Sequence, residues 1–261
     1  INDIGEYIKL IHRIDAVTNL LIDGVEIKPE MGYKFYFLGL HVVYMNIDLN
    51  KLNNNADLLF YNCQNLKSIE FSEFFDIRNF KSMKSMFAHC KILESIIFKN
   101  LNTENVEDMS YMFYGCNSIK SLELSNFNTE KVINISGMFY QCENLEYISG
   151  IDRFKANNLE NMDNLFNGCK KLKEIKINNF NTQKVKTMNG LFMNCQSLTS
   201  IDLSNFKTEN VINMDSMFYG CSSLENIDVS SFNTSKVQMM GAMFFNCSKL
   251  NNIDLSKFDT Q

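Results

Sequence analysis

The sequence predicts an α/β repeat solenoid. Short parallel strands and short helices or 3-10 turns stack in about eight units over residues 55–261, behind a cap of one helix and a β-hairpin over residues 1–54. Three observations carry this expectation. The first is the spacing of the cysteines, Cys63, Cys90, Cys116, Cys142, Cys169, Cys195, Cys221 and Cys247, whose gaps are 27, 26, 26, 27, 26, 26 and 26. A fixed period of that length marks stacked supersecondary units. The second is that apolar columns keep the same period. Phenylalanine stands three residues before every cysteine (Phe60, Phe87, Phe113, Phe139, Phe166, Phe192, Phe218, Phe244), and Leu or Ile stands three and six residues after it. The third is that residues 1–54 do not carry the repeat.

The elements follow in order. Residues 3–14 read as a short amphipathic helix. Residues 20–48 read as one or two hairpins, because Asp23-Gly24 separates Leu20-Leu21-Ile22 from Val25-Glu26-Ile27 and Asp-Gly favours a tight hairpin turn. Such a segment is the expected lid over the first solenoid edge. Within a unit, Val211, Met214, Met217 and Phe218 share one face of a short helix or 3-10 segment. Thr208 is placed to cap its start, and Gly220 to end it in the left-handed conformation. Leu224, Ile227 and Val229 then space a short strand, and Phe232-Asn233-Thr234 turns into the next unit. No unit of this size buries its own apolar stripe, but stacked units do; strands about 4.8 Å apart give a rod roughly 40 Å long. The fourth unit carries one extra residue near Gly150, Phe154 and Ala156, where a bulge or bend is expected. Asp259-Thr260-Gln261 stop in a turn that would launch another unit, so the chain reads as a fragment, or as the ordered part of something longer, with an uncapped edge able to oligomerise.

Composition narrows the function classes. Hydrophobic residues make up 45% and charged residues 21%, a globular balance. The formal charge, 25 − 30 = −5, argues against nucleic-acid binding, which needs a basic face. The longest apolar run, residues 36–45, is about half of the roughly 20 residues a membrane helix requires, so no membrane insertion is expected. No secretory signal is read, although the chain starts at Ile1 rather than Met and a leader upstream is left open. His12, His41 and His89 are scattered and accompany no catalytic or nucleotide-binding motif. No enzyme, cofactor or metal is expected. The cysteines lack paired metal spacing, and stacked side chains point in parallel rather than at one another; they read as a buried free-thiol ladder. Met83, Met109, Met162, Met188, Met214 and Met240 fill one column and read as core packing.

Two columns are candidate binding surfaces. The outward strand positions give Glu70, Glu123, Tyr147, Asp202, Asp228 and Asp254. Like charges about 5 Å apart repel, so the three aspartates either await a cation, a basic partner or sugar hydroxyls, or are a solvated surface. A stripe of Tyr61, Tyr114, Tyr140 and Tyr219 either suits protein or glycan contact or packs over the adjacent turn.

The pattern M-F-x-x-C-x-x-L-x-x-I-D-[LV]-S-x-F-x-T-x-x-V-x-x-M, as in residues 217–240, resembles the BspA-type leucine-rich repeat of mycoplasma, other low-GC bacteria and some protists. Residues 23–27, 33–37 and 39–44 are similar to the short β segment that often precedes it. The resemblance implies a right-handed, all-parallel solenoid that binds a protein or glycan without catalysis, displayed at the cell surface or extracellularly and linked to adhesion. The alternative is a cytoplasmic structural or assembly subunit that uses the solenoid as a scaffold.

Overall fold

The computed structural model describes residues 7–34, 36, 39–99 and 101–259. Its N-terminal part is built from β1 (Tyr7–Lys9), β2 (Val17–Ile22), β3 (Val25–Ile27), β4 (Gly32–Lys34) and β5 (Val43–Ile47). β1 pairs antiparallel with β4, and a three-stranded antiparallel sheet runs in the order β3-β2-β5. Asp23 and Gly24 join β2 to β3 with φ of 51° and 83°, the two positive values that the favoured two-residue hairpin turn demands.

The helix expected over residues 3–14 is corrected: Tyr7–Lys9 is a strand and Ile14–Ala16 a 3-10 turn, while residues 3–6 lie outside the described residues. Pairing overrides the helical spacing here. Gly32 makes that pairing possible, because a Cβ on it would lie 2.4 Å from the Ile8 carbonyl oxygen. In the stretch 33–37, Phe35 and Phe37 likewise lie outside the described residues.

From Asn55 onward the units stack in register. A parallel bridge column runs Asn55, Ser82, Asp108, Asn134, Asn161, Thr187, Asn213 and Met239. On the strand side, β6 (Ser68–Phe71) pairs in parallel with β7 (Ser95–Phe98), and β8 (Ser121–Glu123) with β9 (Tyr147–Ser149). The last four units lack an assigned strand there, although single rungs persist, such as the Glu225 amide donating to the Thr199 carbonyl at 3.2 Å. In the last three units, Asp202, Asp228 and Asp254 each accept from a serine amide two residues on. That local bond offers the backbone an alternative to the ladder.

Of the short helix or 3-10 segment expected in each unit, no α-helix occurs among the described residues, and only alternate amides make the three-residue-back bonds of a 3-10 turn. Between Met214 and Cys221 the amides alternate. Met214, Ser216, Phe218 and Gly220 donate to Met239, Gly241, Met243 and Phe245 of the next unit at 2.7–2.9 Å, whereas Met217, Tyr219 and Cys221 donate three residues back. A helix would spend every amide within its own unit and leave the stack unjoined. Two left-handed residues per unit, four apart, produce the alternation, as at Ser216 (φ 55°) and Gly220 (φ 72°). The cap expected of Thr208 is redirected as well. Its hydroxyl donates to the Asn233 carbonyl at 3.0 Å and accepts from the Asn233 amide at 2.7 Å, joining it to the next unit. The extra residue of the fourth unit is absorbed by a 3-10 turn, Ile151–Arg153, rather than by a bulge.

One core runs through the whole stack, from Ile11 of the N-terminal part to Met243. Its spine is the phenylalanine column, in which successive rings from Phe60 to Phe244 stack with centroids 5.5–5.7 Å apart and planes within 11°.

Candidate functional site

The cysteine column is free of disulfides, and buried except for half-buried Cys247. Each thiol from Cys90 to Cys247 donates to the phenylalanine carbonyl one unit back, as Cys116 to Phe87 at 3.1 Å and Cys142 to Phe113 at 3.0 Å. Burial pushes Cys63 and Cys142 up to about 12, and raises the other thiols too. Thiols held so far from the thiolate are poor nucleophiles and poor metal ligands. The cysteines pack in the core of the stack. No cluster of three or more His, Cys, Asp or Glu placed to hold a metal occurs among the described residues.

The acidic column is less reactive than its spacing implied. Glu70 pairs with Lys99 at 2.5 Å, and Glu123 accepts from the amide and hydroxyl of Ser125. Asp202 accepts from the Ser204 amide and hydroxyl at 3.0 and 2.7 Å, and from Asn178 at 3.1 Å. Serine donors hold the carboxyls of Asp202, Asp228 and Asp254 below the ordinary range. These carboxylates fasten their own turns.

The tyrosine stripe divides in two. Tyr61, Tyr114, Tyr140 and Tyr219 are half-buried. His89 bridges the first gap, edge-on to Tyr61 at 5.6 Å and tilted over Tyr114 at 4.4 Å. Tyr114 stacks on Tyr140 at 4.9 Å, and Tyr219 on Phe245 at 5.2 Å. Stacked rings spend their faces on one another, and a sugar needs an open aromatic face.

What remains unexplained by packing is apolar. Tyr147 is 58% exposed in β9, and Ile97 is 50% exposed in β7. Ile97 shares its column with Glu70, Glu123, Ser149, Lys176, Asp202, Asp228 and Asp254. Ile92, 44% exposed, shares its column with Asn65, Ser118, Asn144, Lys171, Ser197, Ser223 and Lys249. Phe74, 81% exposed, follows β6. All four lie in the first four units, while Ile212 (43% exposed) and Met239 (51% exposed) are comparable in the last two. Sequence reasoning did not single out Ile92, Ile97 or Phe74; the signal was present in residues that break the polarity of their own column.

The fold thus defines a class of protein, a stack of near-identical coils with a lidded first edge. The chain belongs to the family described as "Mycoplasma protein of unknown function, DUF285", which matches residues 54–174 and 146–258. Among solved structures, a leucine-rich repeat protein from Bacteroides ovatus ATCC 8483 is similar at 24% identity and a TM-score of 0.37; the match covers 74% of this chain and 56% of that one. The chain therefore spans little more than half of that protein. No curated protein matches.

Proposed function

We propose that the chain is a non-enzymatic binding module, a leucine-rich-repeat-like solenoid that recognises a protein partner through the strand side of its first four units, in an adhesive, cell-surface or extracellular setting. The observation that carries this reading is the pair Ile92 and Ile97. Both are exposed in columns that are polar in every other unit, and an apolar patch on a polar surface is the usual mark of a contact site. A protein is favoured over a glycan because the exposed side chains Ile92 and Ile97 are aliphatic.

The test immobilises the purified chain and probes it with a panel of extracellular-matrix proteins and with a glycan array. A double variant, Ile92→Lys with Ile97→Glu, is checked by circular dichroism and run in parallel. Protein binding that falls at least about 10-fold in the folded variant, roughly 1.4 kcal/mol, supports the reading. Glycan binding unchanged in the variant overturns it. Antibody labelling of intact, unpermeabilised cells tests the location.

A further inference from the structure

On the turn side of the stack, each unit's carbonyls receive the amides of the unit before it. The Met86 carbonyl takes the Phe60 amide at 2.8 Å, and the Ala88 carbonyl takes the Asn62 amide at 2.8 Å. The first unit has no predecessor, and the N-terminal segment stands in for one. Leu59 receives the His12 amide at 3.0 Å, and the Tyr61 carbonyl receives Lys9 Nζ at 2.7 Å. Lys9 Nζ also lies 2.8 Å from His12 Nδ1 and 5.6 Å from the Tyr61 ring centroid. The His12 ring meets Tyr61 edge-on at 5.7 Å. A lysine ammonium only donates. His12 Nδ1 must therefore be the acceptor, and the imidazole is neutral with its proton on Nε2.

The charges around this pair are lopsided. On its own segment His12 faces Lys9, Arg13 and Asp15, and Asp15 is already engaged by Arg13 at 3.3 Å. On the first unit it faces Tyr61, with His89 against that ring at 5.6 Å and Lys91 acting on His89. An imidazolium here would have no acceptor left for Lys9 and would stand among cations.

We propose that Lys9 and His12 form an acid-released latch: protonation of His12 removes one of the two acceptors that seat Lys9 and sets a second cation beside it, and the segment around residues 7–13 lifts from the first unit, uncovering the Leu59 and Tyr61 carbonyls and the thiol of Cys63. The direction of titration agrees. Burial first, then Lys9 and Arg13, hold His12 below its ordinary 6.5. A group whose pKa is lowered in the closed form stabilises that form fully above about 6.5 and progressively less as pH falls below it. Cys63 is a natural reporter, since it is fully buried and lies close enough to Lys9 to feel its charge.

The test is per-cysteine labelling of the whole folded chain with an uncharged thiol reagent at about pH 7.5 and about pH 5, on either side of the imidazole range. Each rate is normalised to that of the urea-unfolded chain at the same pH. Cys63 is expected to label faster at the lower pH, while Cys116, Cys142, Cys169 and Cys195 stay protected. His12→Asn, whose amide oxygen can replace Nδ1 without titrating, should remove the acceleration; His12→Lys should label quickly at both values. His89→Gln should leave the acceleration in place. Acceleration that survives in His12→Asn, disappears in His89→Gln or spreads to all eight cysteines overturns the latch. Hydrogen exchange at the His12 amide of the unsubstituted chain is an independent readout, and unchanged protection on acidification overturns the proposal even where a variant fails to fold.

Discussion

Each interior cysteine works through its hydrogen. The Phe113 carbonyl accepts the Cys116 amide at 3.0 Å and the Cys142 thiol at 3.0 Å, filling both oxygen lone pairs inside the core. Alanine fits the volume but leaves one of them bare. Cys142→Ala should therefore lower stability by about 1–2 kcal/mol, the sum of a lost weak bond and a small void, measured by chemical denaturation. Phe139→Ala removes a ring stacked on both sides and should cost about 3–5 kcal/mol. Under native conditions the thiols from Cys90 to Cys221 should resist alkylation, and half-buried Cys247 should react first. The column and its burial were legible from a fixed three-residue distance to phenylalanine. The bond to the phenylalanine one unit back was not, because its partners stand 29 or 30 residues apart. The exposed aspartates taught the reverse lesson. Their stacking was legible, but the serine two residues on, visible in the same stretch of sequence, had already claimed each carboxylate. Their midpoints, followed by nuclear magnetic resonance, should lie below the ordinary 3.8; the stability these bonds add is present above that value and is lost as pH falls through the lowered midpoints.

At the scale of the element, the period was readable and the local conformation was not. Apolar residues at i, i+3, i+6 and i+7 fit a helix face, and nothing in that spacing separates a helix from a run of turns whose alternate amides leave the chain. The left-handed position filled by Gly115, Gly168, Gly220 and several asparagines was legible. The one four residues earlier was not, because it also holds Leu58, Ser85, Tyr111 and Ala242 at φ of 52–59°. The stack over-determines those residues, since the ladder that passes through them allows no other twist. Gly150 shows how tight the fit is. At φ 79°, a Cβ there would lie 2.4 Å from both Cα and N of Ser125. Gly150→Ala should cost about 2–4 kcal/mol, from the left-handed backbone together with a collision against main chain that cannot swing aside. Thr208→Val would strand the amide and carbonyl of Asn233 at the junction of two units, for about 1–3 kcal/mol. Thermal melts of both variants check these values.

For the whole molecule, the absence of α-helix among the described residues predicts a far-ultraviolet circular dichroism spectrum without the helical double minimum; a helical spectrum would contradict the turn ladder. Long-range ion pairs along the exposed turns, such as Lys81 with Glu107 at 2.8 Å and Lys186 with Glu160 at 2.6 Å, add little individually, about 0–1 kcal/mol each. Continuous burial from Ile11 to Met243 carries the stack instead. Because Phe87 meets Phe113 much as Phe192 meets Phe218, the coils are close to interchangeable. The reading frame inherits that property. A recombination event that removes or duplicates one whole period of codons rejoins matching columns and changes only the number of coils. One that is off by a single codon shifts the phenylalanines and cysteines out of their columns unless a turn takes up the extra residue, as Ile151–Arg153 does. Length in this chain is a heritable variable that can move in whole steps while the fold stays still.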